Sequence, residues 1–252
     1  ICDPDDSALM AESRDIPLLC ATGAPNMARS LQSKVGQRLG RSILSVGGNN
    51  AAIVTPTADI KLTVDELVVS AVADAGQRST SLQRLFVPSS VYDQVVERLK
   101  SAFSNVKVDS PFERHAKVGP LIDKAAFDNM RLALEQAKID GGQVFGGQRI
   151  DVGLRENAYY VEPALVEMPE QTDTVKNELL APVLYVMRYD DLKQAVAGVN
   201  AFAQTLLACI FSNNLKEIGY FTSIDGVQTE AAIVNAGTVG YDMAAMFTTG
   251  KD

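Results

Sequence analysis

The sequence predicts an α/β fold with a mainly parallel sheet, on three observations. Short apolar, β-branched runs recur along the chain; segments with apolar residues every three or four positions separate them; and Gly, Asp, Asn or Ser marks most junctions. Strands alternating with helices at this interval fit a sheet whose strands are joined by helical crossovers.

The elements follow in order. Residues 17–20 form a short apolar run ending in Gly23 and read as a strand, and the segment to Leu39 sets Met27, Leu31 and Val35 four apart on one helical face. Residues 42–46 and 51–54 read as two short strands flanking the turn Gly47-Gly48 with Asn49-Asn50. A helix is predicted over residues 59–75, capped by Thr57 or Asp59, with Val64, Leu67, Val68, Ala71 and Val72 on a broad stripe and Gly76 as its stop. Residues 82–87 read as a strand, after which Ser89-Ser90 is expected to cap a helix carrying Val91, Val95, Leu99 and Phe103. A further helix spans residues 124–138 with Phe127, Met130, Leu134 and Ala137 on one side, and Gly141-Gly142 ends it before Val144-Phe145. In the second half, residues 159–168, 182–189, 206–211 and 231–234 read as strands, and residues 190–200 and 215–222 as helices. No linker or fixed-period repeat interrupts the pattern, and the one plausible seam between domains lies near Asn49 to Gly76.

Composition narrows the function classes. The 252 residues are 46% hydrophobic with a net charge of -8, enough for a sizeable core and the wrong sign for a nucleic-acid partner, since phosphate binding needs a basic surface. No apolar run reaches the roughly 18–20 residues that cross a bilayer, and the acidic start is unlike a secretory signal, so a cytoplasmic protein without a membrane partner is expected. Cys2, Cys20 and Cys209 are odd in number and far apart, with His115 as the single histidine; neither a disulfide framework nor a metal site is expected, and the cysteines read as buried, reduced thiols. The chain begins with Ile, so a fragment, a processed product or the ordered part of something longer is expected.

Seven local runs carry a resemblance. They are Thr22-Gly23; Leu39-Gly40-Arg41-Ser42 leading to Gly47-Gly48-Asn49-Asn50; Ala75-Gly76-Gln77-Arg78; Val118-Gly119-Pro120-Leu121; Tyr160-Val161-Glu162-Pro163; Glu178 with Pro182-Val183-Leu184; and Ile210-Phe211-Ser212-Asn213. No single run is specific, but in this order, over nearly the whole chain, they resemble the aldehyde dehydrogenase superfamily, and within it the branch that oxidises α-aminoadipate semialdehyde. The resemblance implies that residues 1–50 are the last portion of a Rossmann-like nucleotide-binding domain and residues 51–252 an aldehyde dehydrogenase-like catalytic domain. Family members are longer. An early Asn of the oxyanion hole and a Lys for the adenosine ribose are expected before Ile1, and a glycine-rich segment and a subunit-joining strand after Lys251.

The family's chemistry needs a thiolate to attack the aldehyde, hydride transfer to NAD, and a carboxylate to activate water against the thioester. The resemblance places the nucleophile at Ser79, in Gln77-Arg78-Ser79-Thr80, and the general base at Ser45, in Ser45-Val46-Gly47-Gly48. Both are alcohols. A serine hydroxyl is far less acidic than a thiol of pKa about 8.5 and needs an adjacent base, and Ser45 takes no proton at neutral pH. Loss of both groups is better explained by natural loss of function than by an engineered trap.

The cofactor positions implied are Gly23, Gly48 and Glu178, yet Ala24-Pro25 stands where the family offers a side-chain and a backbone donor to the pyrophosphate, and NAD binding is expected to be impaired. Pro25 is also good chemistry for a first helical turn, and Glu178 reads equally as a structural carboxylate. Arg78 matches the residue that holds the substrate's distal carboxylate, and Asn235 one beside the substrate funnel; the plain alternatives are a salt bridge within the fold and a turn former. Gly47-Gly48 serves a tight turn. The expected function is a catalytically inactive family member acting as a structural, regulatory or ligand-binding component, as a homo-oligomer or with a partner that covers apolar surface. Part of a longer NAD(P)-dependent oxidoreductase acting on a semialdehyde is the alternative, and a serine esterase using Ser79 a third reading.

Overall fold

The structure, a computed structural model, describes residues 4–23, 25–153, 157–202 and 205–239. The chain divides into two compact units, residues 1–47 and 48–252.

The first unit is built as α1 (Pro4–Glu12), β1 (Leu18–Gly23), α2 (Pro25–Gln37) and β2 (Arg41–Val46). The strands pair in parallel from Leu18↔Arg41 to Gly23↔Val46. One face of this two-stranded sheet, through Leu19 and Ala21, packs with Ala11 of α1 and with Met27, Leu31 and Val35 of α2, because residues four apart stack on one side of a helix. The other face, carrying Leu18, Cys20, Thr22, Arg41, Ile43 and Ser45, is exposed. Cys20 is therefore a free, exposed thiol and not the buried one expected, since the period-two alternation turns it away from α2. Cys209 is free and buried, with its thiol pushed well above its ordinary value by desolvation; Cys2 lies outside the described residues. Helix α1 was not legible because Leu9 and Met10 are exposed and, among its described side chains, Ala11 is the one fully buried apolar group.

The second unit continues with β3 (Asn50–Val54), α3 (Ile60–Val72), a 3-10 turn at Ala73–Gly76, β4 (Leu82–Pro88), α4 (Tyr92–Ser104), α5 (Lys124–Ile139), β5 (Gln143–Gly146) and β6 (Arg149–Ile150). It ends with β7 (Tyr160–Val161), β8 (Ala164–Met168), α6 (Asp173–Lys176), β9 (Val183–Tyr189), α7 (Leu192–Asn200), β10 (Leu207–Phe211), α8 (Leu215–Phe221) and β11 (Ala231–Val234). The sheet runs β11-β10-β3-β4-β9-β8-β5 and is parallel but for β5, which is antiparallel to β8. Every residue of β3, β4 and β10 is buried, the signature of parallel strands covered on both faces.

Four local expectations are corrected. The two strands at residues 42–46 and 51–54 form, but Gly47-Gly48 between them makes no tight turn; β2 joins β1, and β3 joins β4 and β10. Ser89-Ser90 does not cap α4, whose N-cap is Val91 without a side-chain bond; Ser89 Oγ instead donates to Asp190 at 2.7 Å. The run at residues 159–168 is broken into β7 and β8 at Glu162-Pro163, as a proline lacking its N–H requires. The helix predicted to begin at Asp190 begins at Leu192, capped by Asp191. Among the described residues no helix is long and apolar enough to cross a membrane.

Candidate functional site

Ser79 lies in the turn between the 3-10 segment and β4, at the amino end of the sheet. The turn is fixed from several directions. Arg78 N donates to Ser81 Oγ at 3.1 Å, and Ser81 N to Arg78 O at 3.0 Å. Asn50, buried at the start of β3, donates through Nδ2 to the carbonyls of Ser79 (2.8 Å) and Ser81 (2.9 Å), while its Oδ1 accepts from Leu207 N at 2.9 Å. Gln77 Oε1 accepts from Ile122 N at 2.8 Å, and its Nε2 donates to Asp74 O. The backbone that carries residue 79 is thus held through its carbonyl and through the residues on either side, which is how a fold presents a side chain in one geometry.

The approach to Ser79 is strained. Asp74, Ala75 and Gly76 are consecutive left-handed residues, with φ of 50°, 57° and 68°, a conformation that side chains other than glycine adopt at a cost of roughly 1–3 kcal/mol each. Gly76 also abuts the segment before β9: a Cβ there would stand 2.2 Å from Ala181 O. The same segment is clamped by Gln83, whose Nε2 donates to Leu179 O (3.0 Å) and whose Oε1 accepts from Leu179 N (3.1 Å).

The other expected site residues divide as follows. Arg78 Nε is paired with the carboxylate of Asp74, and both side chains are largely exposed. Such an exposed pair contributes at most about 1 kcal/mol. Asn235, at φ 53° just after β11, directs its amide to one residue, donating to Ser212 O and accepting from Ser212 N, both at 2.9 Å. This ties the end of β11 to the residue after β10, the turn-forming alternative. Glu178 is half-buried in the clamped segment, and burial pushes its carboxyl above the ordinary value.

A raised folded pKa means that the fold penalises the ionised form relative to the unfolded chain, so the stability present below the ordinary 4.5 is lost as pH rises through the folded value. Glu178→Gln is therefore expected to stabilise the second unit at neutral pH and to leave it unchanged at pH 4. Urea midpoints at the two pH values measure this, and an equal shift at both excludes it.

Ser45 lies in the first unit, exposed on β2 opposite Thr22. Gly23 ends β1, and its carbonyl accepts from Gly47 N at 3.3 Å; Gly48 is buried in the link before β3. Ala24 lies outside the described residues. The residues present fit a dinucleotide only in part. Helix α2 opens on Pro25, which has no N–H to offer an anion, and β1 and β2 supply no carboxylate at position 45.

The chemistry available at residue 79 is limited by what surrounds its hydroxyl. Among the described residues no histidine, lysine or carboxylate hydrogen-bonds to Ser79 Oγ, and His115 is exposed in the loop before Val118. A serine without a base is a poor nucleophile. The sequence placed Asn50 in the Gly47-Gly48-Asn49-Asn50 run but gave no sign that its side chain would hold the turn at Ser79. Arg84 was legible only as part of the strand at residues 82–87.

A model of the aldehyde dehydrogenase family matches residues 4–250. The chain is similar to aldehyde dehydrogenase family 7 member A1 of Pisum sativum, with 35% identity over 238 residues that cover 94% of this chain and 46% of the relative. It is 34% identical over 245 residues to the α-aminoadipic semialdehyde dehydrogenase of Mus musculus, covering 96% and 45% of the two chains. Among solved structures, lactaldehyde dehydrogenase from Escherichia coli superposes with a TM-score of 0.85 at 26% identity, over 92% of this chain and 48% of that one. The chain spans about half the length of the relatives it matches.

Proposed function

The chain belongs to the aldehyde dehydrogenase family, and from that premise we propose that it is a member without aldehyde-oxidising activity, serving as a structural, regulatory or ligand-binding component. The observation that carries this reading is Ser79: its backbone is held in place by Asn50, yet its side chain is a hydroxyl with no base bonded to it among the described residues. At neutral pH a thiol of pKa about 8.5 is a few per cent thiolate, whereas a serine alkoxide is rarer by many orders of magnitude. Ser45 supports the same reading, since an alcohol there neither holds a proton taken from water nor drives hydrolysis of an acyl intermediate.

The exposed face of β1 and β2 supports a partner role. Leu18, Cys20 and Ile43 lie together on a sheet face that is exposed among the described residues, and apolar side chains left in register on an open face gain about 25 cal/mol per Å² when a partner covers them. A second copy of the chain or a further polypeptide fits this role. NAD binding is proposed to be weak, for want of the donor that Pro25 removes.

The purified chain, incubated with NAD and α-aminoadipate semialdehyde, is expected to give no NADH above the rate without protein. The double variant Ser79→Cys/Ser45→Glu is expected to remain inactive, because restoring two side chains does not restore the pyrophosphate donor at position 25. Growth of NADH absorbance with the unaltered chain refutes the proposal, and activity in the double variant alone shows that the two alcohols are the whole of the defect.

A further inference from the structure

Within the first unit, the amino ends of β1 and β2 open onto a cavity of about 650 Å³ lined by Arg14, Pro17, Leu18, Arg38, Leu39 and Arg41, among others. Three arginines meet at one mouth in a chain of net charge -8. Among the described residues none of the three has a carboxylate within ion-pairing distance, whereas Lys34 of the same unit is paired with Glu12. Arg38 is held at its base, Nε donating to Ala11 O at 2.8 Å, while its Nη2 is shielded from solvent with no acceptor. Its guanidinium lies against Gly40, where a Cβ would stand 2.5 Å from Nη1.

These features converge on an anion. A charged N–H shielded from solvent and without an acceptor is unfavourable, and a turn of the guanidinium that gives up its bond to Ala11 O would bring it to an oxyanion in the cavity. Guanidinium groups bind planar or tetrahedral oxyanions through paired N–H donors, and a phosphate offers three oxygens and up to two charges. Leu39 at 94% exposure and Leu18 at 46% leave apolar surface beside the charges. The cavity sits at Leu18 and Arg41, the first residues of their strands, whereas dinucleotides bind outside the carboxyl ends, here Gly23 and Val46. It is therefore on the opposite edge of the sheet from the expected cofactor positions.

We propose that this cavity binds a small molecule bearing a phosphate group, which Arg14, Arg38 and Arg41 hold while its apolar part lies on Pro17, Leu18 and Leu39. Calorimetric titration of the full chain with inorganic pyrophosphate tests this, with citrate as the carboxylate arm. Saturable pyrophosphate binding is expected, weakened roughly tenfold or more by Arg38→Gln and by Arg41→Gln, and weakened by added salt. Absence of saturation, equal affinity in the variants, or citrate binding as tight as pyrophosphate each overturns the proposal. Arg41 projects from an exposed strand position, so its variant decides the matter if Arg38→Gln fails to fold as judged by circular dichroism.

Discussion

Arg84→Met is expected to destabilise the second unit by about 3–5 kcal/mol, the range seen when a buried, fully bonded polar group is removed and its partners stay behind. Arg84 is completely buried in β4, and among the described residues no carboxylate pairs with it. Neutral acceptors satisfy it instead: Nε donates to Asn49 Oδ1 (2.8 Å), Nη1 to Gln171 Oε1 (2.8 Å) and Gly198 O (3.1 Å), and Nη2 to Asn49 O (2.7 Å) and Thr205 Oγ1 (2.8 Å). Phe202 lies 5.6 Å from the guanidinium carbon, adding a cation–π contact. Burial pushes its pKa down to about 10, still cationic at neutral pH. Met fills the volume but leaves five acceptor contacts unmade in a dry interior. Urea unfolding followed by circular dichroism measures the loss; a change below about 1 kcal/mol shows that water replaces the guanidinium without difficulty. Lys in its place is also expected to destabilise, because an ammonium lacks the planar fork that reaches Asn49, Gln171 and Thr205 together.

Gly76→Ala is expected to have the next largest effect, about 3 kcal/mol or more, as the sum of two penalties. The left-handed backbone at φ 68° disfavours any Cβ by roughly 1–2 kcal/mol. The added methyl would also stand 2.2 Å from Ala181 O, 2.4 Å from Ala181 C and 2.7 Å from Pro182 N, all backbone atoms that no rotamer change can move. The turn leading to Ser79 and the segment holding Glu178 must then separate. Gly153 provides the control, with φ 71° and nothing within 4 Å of a built Cβ, so Gly153→Ala is expected to show the backbone penalty alone, about 1–2 kcal/mol. Equal losses in the two variants, read from urea midpoints, exclude the steric contribution.

The positioning of Ser79 explains why the family likeness and the chemical defect coexist in one chain. Asn50, Gln77 and Gly76 still support the turn as a fold requires, so the scaffold persists although the side chain it presents is an alcohol. Packing and hydrogen bonding act on the backbone at residue 79; nucleophilicity depends on the one atom at its tip.

Periodicity by itself determined the elements that bury a long face. Met27, Leu31 and Val35 marked α2; Val95, Leu99 and Phe103 marked α4; and Met130, Leu134 and Ala137 marked α5, because a helix with several residues in the core must repeat them at its own pitch. The fully buried runs of β3, β4 and β10 likewise declared a parallel sheet, and the ordered motifs declared the family. Only the tertiary structure decided where short or weakly buried pieces lie. It gave α1 and the four-residue α6, broke the 159–168 run at Pro163, and sent Ser89 to Asp190 and not to a helix end. It also decided that Arg78 pairs with Asp74, that Asn235 bonds to Ser212, and that Arg14, Arg38 and Arg41 share one cavity. The physical reason is range: a helical or strand pattern is written in neighbours a few residues apart, whereas the partner of a polar group is chosen by whichever distant segment the fold brings within about 3 Å of it.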